Sequence, residues 1–150
     1  MAAEAHSDTQ RYTCLFCRIA HNQEPNSRLL YEKDGIVIFK DIRPAAAHHY
    51  LVVPQKHIKD PKHLGPEDVD LVNTLVAVGE EFLKKEGADT ADSRFGFHWP
   101  PFNSIPHLHL HVISPVRSMG VVASLIFKPN TLWFVTADWL VNRLKNMKRK

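Results

Sequence analysis

No stretch of the chain stays apolar for the roughly 18 residues a membrane-spanning helix needs, so a helical membrane anchor is excluded. The first ten residues, MAAEAHSDTQ, are polar and lack the apolar segment of a secretory signal. The expected setting is cytoplasmic, with nuclear access for a chain this small, and no membrane partner. Cysteine is scarce: only Cys14 and Cys17 occur, and a spacing so short cannot staple a fold. A strong charge bias is also lacking, with 19 basic against 16 acidic side chains and a net charge of +3. That is too little to argue for nucleic-acid binding by phosphate neutralisation. What the chain does have is enough apolar residues for one core in 150 residues, and ten histidines. Five of the ten stand in two groups, His48-His49 and His107, His109, His111.

The pattern of elements predicts an α+β fold with its helices on one face of the sheet; the sheet is expected to be antiparallel with about five strands, beside one long helix and short helices near each end. Residues 1–11 are expected to be a disordered N-terminus, and residues 12–150 a single domain. Leu15, Phe16 and Ile19 recur at helical spacing in a short first helix. The run Leu29–Tyr31 and the β-branched Ile36-Val37-Ile38-Phe39 read as a hairpin turning at Lys33-Asp34-Gly35. A further strand, His49–Val53, stops at Pro54. Gly65-Pro66-Glu67-Asp68 announces a helix, with proline at its first turn and acids at the positive end of the dipole. Val69, Val72, Leu75, Val76, Gly79, Phe82 and Leu83 keep its 3.6 period, and Gly87 ends it. Arg94–His98, His107–Ser114 and Trp133–Val135 read as strands. Ala137–Lys148 reads as a last helix, with Trp139, Leu140 and Leu144 turned inward.

His107-Leu108-His109-Leu110-His111-Val112-Ile113 alternates strictly. In a strand this puts three imidazoles on one face, about 6.5–7 Å between neighbours, and the aliphatics on the other. Three in a row cannot readily chelate one ion, and no Asp or Glu occurs between Arg94 and Lys128. The reading is therefore metal-free, with no cofactor. An imidazole can attack phosphorus and also leave again, so one ring can take up and release a nucleotidyl group while its neighbours orient it and move protons. The pair Cys14 and Cys17 reads first as packing. Half of a zinc site and a redox pair are lesser alternatives, in that order. His48, His63 and His98 read as solvated or simply hydrogen-bonded.

The alternating run resembles the His-x-His-x-His-x-x motif of the histidine triad superfamily of nucleotide hydrolases and transferases. Cys14-Leu15-Phe16-Cys17-Arg18-Ile19, Phe39-Lys40-Asp41-Ile42-Arg43-Pro44 and His49–Ile58 are similar to further blocks of its nucleotide-binding-protein branch. The resemblance implies that His109 is the nucleophile, supported by His107 and His111 through phosphate contacts and by His49 from the preceding strand. It implies that Ser104 lies near the scissile bond and Asn103 beside it, and that Asp41 holds the ribose. Phe16, Ile19, Phe39, Ile42 and Leu51 would enclose the purine. The implied substrates are purine nucleoside monophosphate conjugates, adenosine 5′-phosphoramidates and acyl-adenylates, hydrolysed to AMP. The implied assembly is a homodimer or larger homo-oligomer. The aprataxin branch, which removes AMP from nucleic-acid ends, is the enzymatic alternative, and a nucleotide-binding scaffold without turnover is the non-enzymatic one. The stretch upstream of His107 departs from the common pattern: His98-Trp99-Pro100-Pro101 stands where many relatives carry glycines.

Overall fold

A computed structural model describes residues 13–147, so the expected disorder of residues 1–11 lies outside the described residues. Six strands form one antiparallel sheet. They are β1 (Tyr31–Lys33), β2 (Ile36–Lys40), β3 (His48–Pro54), β4 (Arg94–His98), β5 (Leu110–Ser114) and β6 (Phe134–Thr136), in the order β1-β2-β3-β5-β4-β6. The helices are α1 (Leu15–Ala20), α2 (Val69–Lys85), α3 (Val121–Ile126) and α4 (Ala137–Lys145). The β1–β2 hairpin turns where expected. Asp34 and Gly35 both have positive φ, 53° and 77°, between paired Lys33 and Ile36, as a two-residue turn of type I′ requires.

Alternation along the strands gives the sheet two different faces. Ile36, Ile38, Tyr50, Val52, Phe97, Leu110, Val112 and Val135 meet α2 and α4 in the main core. Val72, Leu75, Phe82 and Leu83 of α2 fill its centre, on the stripe the sequence predicts. The helices are not confined to one face as expected: on the other face β2, β3 and α1 bring together Phe16, Ile19, Val37, Phe39, Leu51 and Val53, because that face of β2 and β3 is apolar too. Ile113, Met119, Phe127 and Phe134 form a third cluster farther along the same face, and the histidines lie between the two.

Several expectations change. The sheet has six strands rather than about five, because both the edge strand at Tyr31 and β6 are paired. Residues 107–109 precede β5: the ladder with β3 begins at Leu110, opposite Val52, and Pro54 has no N–H to extend it. Helix α3, which follows the extended Gly120, is absent from the sequence reading. In α4, Leu140 and Leu144 are buried as expected but Trp139 is 39% exposed, lying edge-on to Trp99.

Gly96 pairs with His111 and fixes how closely β4 and β6 approach. A Cβ there would lie 2.5 Å from the Phe134 ring and from the Val135 carbonyl. Gly96→Ala is expected to destabilise the fold by about 1–3 kcal/mol, the usual range for overpacking, as read from urea unfolding midpoints.

Candidate active site

Period-two spacing aims His109 and His111 at the same face as His49 of β3, and the chain order of the sheet sets β3 and β4 on either side of β5. The rings meet: His109 and His111 have centroids 5.0 Å apart, and His49 and His111 5.2 Å. All three are buried.

Hydrogen bonds fix the tautomer of each ring. His109 Nδ1–H donates to the His107 carbonyl at 2.7 Å, which leaves Nε2 with its lone pair. Burial holds this imidazole neutral, its pKa lowered to about 4. His109 is therefore a neutral ring with one unprotonated nitrogen, the state a nucleophile requires.

The other rings form an ordered relay. The Ala45 amide donates to His49 Nδ1 at 2.9 Å, so the His49 proton sits on Nε2, 3.0 Å from His111 Nδ1. His111 Nε2–H then faces His98 Nδ1 at 3.3 Å, and His98 Nε2–H donates to the Ile126 carbonyl at 3.0 Å. A backbone donor fixes one end and a backbone acceptor the other, so the N–H bonds point in one direction. Asp41 Oδ2 lies 3.3 Å from His49 Nε2, close enough to offset a positive charge on the relay. Phe127 packs against His49, His98 and His111 with centroids about 5 Å away.

His98 is thus a member of the site that the sequence reading set aside. A signal was present. Arg94, Gly96 and His98 alternate with Phe95 and Phe97, which places His98 on the histidine face once β4 is known to neighbour β5.

His107 is placed differently from expectation. Its ring is fully buried, Nε2–H donates to the Pro54 carbonyl at 2.8 Å, and Nδ1 faces the two cysteines and His57. Both ring nitrogens face protein groups, and it is the His107 backbone carbonyl that meets the His109 ring. Phe16, Ile19, Phe39 and Leu51 pack together as an apolar wall, with the Phe16 ring edge-on to His109 at 5.0 Å. Ile42 stands apart, 91% exposed. Asp41 is partly buried and also accepts the Arg43 amide at Oδ1. Asn103 lines a small cavity of about 10 Å³ with His98 and His109. Ser104 is exposed in the same loop, and no hydrogen bond joins it to the histidines among the described residues.

Cys14, Cys17, His57 and His107 come together as a second constellation, with one donor atom from each all within 4.8 Å of one another. Cys14 Sγ–His107 Nδ1 and Cys17 Sγ–His107 Nδ1 are both 3.4 Å. Cys17 Sγ–His57 Nδ1 and His57 Nδ1–His107 Nδ1 are both 3.3 Å. A tetrahedral zinc ion with bonds of about 2.0–2.3 Å separates its ligand atoms by about 3.3–3.8 Å. The set also has the composition of a closed structural zinc site, and the Pro54 carbonyl fixes the tautomer that leaves His107 Nδ1 free as a ligand. The residues fit the metal. Spacing alone ranked packing ahead of zinc because His57 and His107 lie far from the cysteine pair in sequence.

Burial lowers the pKa of His49, His98 and His111, the last well below its ordinary value. These rings stay neutral when folded but take up protons when unfolded below about pH 6.5. The unfolded state then binds more protons, so stability is level above pH 6.5 and falls beneath it. The slope approaches about 1.4 kcal/mol per pH unit for each ring that stays neutral. Urea unfolding at pH 7.5 and 5.5 is expected to give a lower midpoint at pH 5.5.

Residues 13–125 match the model of the family described as scavenger mRNA decapping enzyme C-terminal binding. Adenosine 5′-monophosphoramidase HINT3 of Xenopus tropicalis is 46% identical over 151 residues, spanning 97% of this chain and 99% of its own length. The mouse protein of the same name is 47% identical over 134 residues, spanning 88% of this chain and 81% of its own. Among solved structures, a histidine triad protein from Clostridium difficile superposes with a TM-score of 0.62 at 31% identity. That superposition covers 67% of this chain and 88% of the other.

Proposed function

The chain belongs to the histidine triad superfamily, and from that premise we propose that it hydrolyses adenosine 5′-phosphoramidates and acyl-adenylates to AMP through a covalent nucleotidyl group on His109. The observation that carries the reading is the tautomer of His109: Nδ1–H is held by the His107 carbonyl and Nε2 is left free. The names of the relatives of Xenopus tropicalis and mouse support the phosphoramidate part of this reading.

In this mechanism His109 Nε2 attacks phosphorus, forming an N–P bond as the P–N or P–O bond to the leaving group breaks. The ring becomes an imidazolium, and its hydrogen bond to the His107 carbonyl strengthens with the charge. An amine leaving group needs a proton. The anionic phosphate oxygens of the bound substrate raise the proton affinity of nearby imidazoles, so one proton enters the His49–His111–His98 relay with substrate and passes to the leaving nitrogen. Water then attacks the nucleotidyl group, AMP departs with the phosphorus, and the water's proton restores the balance. Asn103 and Ser104 border the leaving group. Asp41 meets the ribose, and Ile42 with the wall of Phe16, Ile19, Phe39 and Leu51 meets the purine. A zinc ion bound by Cys14, Cys17, His57 and His107 would cross-link these segments, with all four positions filled by protein. Two copies of the chain, in the cytoplasm or nucleus, complete the reading.

The test is AMP release from an adenosine 5′-phosphoramidate by the purified chain, with acid-labile AMP recovered on the His109 peptide after a rapid quench. Absence of AMP release at stoichiometric enzyme would overturn the proposal.

A further inference from the structure

We propose that the exposed aliphatic face of α3, together with Leu132, is the subsite for the leaving group. The substrates it selects carry a medium-length aliphatic chain on the acid or amine bonded to AMP. The inference deepens the reaction assigned above and rests on it for the places of the purine and of phosphorus.

The sheet sets the direction in which substrate lies. Leu51 stands opposite both Phe39 and His111, and Gly96 opposite both His111 and Thr136. Directly opposed residues share a face, so one row crosses the histidine face from the purine wall to β6. His109 and His98, two residues along from His111 and Gly96, share the small cavity at the end of the sheet. A purine against Phe39 and Leu51 with phosphorus at His109 therefore leaves the departing group lying over β4. Past His98 the next residues are those of α3, because the Ile126 carbonyl accepts His98 Nε2–H at 3.0 Å.

Helix α3 has the composition of a core helix without the burial of one. None of its residues is buried. Val121, Val122, Leu125 and Ile126 are all exposed, from 89% at Val121 to 44% at Ile126, and Leu132 is 81% exposed. Their spacing gathers the four on one side of the helix. Scattered exposed aliphatics are ordinary, but a contiguous group beside a reactive site marks a surface that meets something apolar.

The face is also held in place. The carbonyls of Leu125, Ile126 and Phe127 each accept a side-chain donor: Trp133 Nε1–H at 2.9 Å, His98 Nε2–H at 3.0 Å and an Arg94 guanidinium N–H at 3.1 Å. A six-residue helix is too short to keep its shape alone, and two of these three clamps come from β4, the strand the leaving group crosses. Continuity with the reactive site selects the occupant, since the substrate is the ligand whose path runs from His109 past His98 onto this face. The four side chains offer it neither charge nor hydrogen bond, only aliphatic contact. Neighbouring strands lie about 4.8 Å apart, so an acetyl group ends over His98 and a chain reaches Ile126 and Leu125 from about its fourth carbon onward.

The test is a chain-length series on the purified protein. Non-hydrolysable N-acylsulfamoyl adenosines from acetyl to decanoyl report binding by calorimetry. The matching acyl-adenylates and N-alkyl phosphoramidates of AMP report kcat/KM, and the arm that rises with length tells whether acid or amine carries the chain. Affinity is expected to be level for the shortest members and then to tighten by about two- to fourfold per methylene, the scale for a partly to fully buried CH₂. Leu125→Ser and Leu132→Ser should each flatten that slope. It is read as the ratio of decanoyl to acetyl affinity within each variant, so a general loss of binding cancels. A slope in binding without turnover of any member would keep the subsite and overturn the assigned reaction. Turnover of the acetyl compound with a level wild-type series would do the reverse. A slope that survives both serine variants places the chain elsewhere and overturns the proposal. So does a level wild-type series whose serine variants sediment as smaller species, because the face then belongs to a second copy of the chain.

Discussion

Replacing His109 with alanine is expected to lower kcat/KM for an adenosine 5′-phosphoramidate by about 10⁴-fold or more, the scale on which covalent catalysts fail without their nucleophile. The ring contributes at two points. It supplies the lone pair at Nε2 and it is the group that leaves when water attacks. Direct attack by water would lack the positioned nucleophile, so the remaining groups could offer only binding and proton transfer. The His107 carbonyl loses its hydrogen-bonding partner in the variant, a cost of about 1–3 kcal/mol. Far-UV circular dichroism should therefore remain native while activity disappears. AMP should still bind, because the apolar wall of Phe16, Phe39 and Leu51 is separate from the lone pair. Two readouts separate an enzyme from a nucleotide-binding scaffold. In an enzyme, the wild type forms the AMP–His109 adduct and the variant does not, while affinity for AMP stays within a fewfold. A wild type without adduct, and a variant differing only in affinity, would sink the nucleophile assignment.

How much of this site can be read from sequence depends on how far apart the cooperating residues lie. The alternation in His107–Ile113 gives the shared face of His109 and His111 directly, because strand geometry alternates whatever the neighbours are. The hairpin at Asp34-Gly35 and the stripe of α2 are legible for the same reason: both are set by local conformational preference or period. His98 is different. Its alternation with Phe97 and Phe95 was available, but the pairing of Gly96 with His111 is a matter of strand order, and no local rule supplies it. The constellation of Cys14, Cys17, His57 and His107 is further out of reach. It joins Cys14 to His107 across 93 residues, and its existence depends on β5 starting late enough for the His107 ring to point into the α1 turn. Carboxylates are lacking near the triad, but one of its three histidines leaves the row and stands beside sulfur donors that no local spacing brings to it. Pro54, read only as the end of a strand, turns out to matter twice: it shortens the ladder, and its carbonyl takes the His107 proton.

The relay gives the second large effect, and here the substrate decides its size. His98→Ala is expected to slow cleavage of an alkylamine phosphoramidate by about 10²–10⁴-fold, the contribution usual for a positioned general acid. The same change should slow an acyl-adenylate by less than about tenfold. The reason lies in the leaving groups. An amine anion is far too basic to depart from phosphorus unprotonated, whereas a carboxylate leaves without a proton. His98 accepts from His111 Nε2–H and donates to the Ile126 carbonyl, and it lines the cavity beside His109. Its removal ends the relay at His111 and leaves the nucleophile, its tautomer and the His107 carbonyl untouched. His98→Gln sharpens the test, since an amide can hydrogen-bond to both neighbours but cannot pass a proton. That variant should be nearly as slow as alanine on the phosphoramidate and nearly as fast as wild type on the acyl-adenylate. Across amines of falling basicity, the rate deficit should shrink steadily as the need for protonation declines. Equal losses on both substrate classes would mean that His98 acts by packing against Phe127 and Phe134, and the proton would have to reach the leaving group by another path.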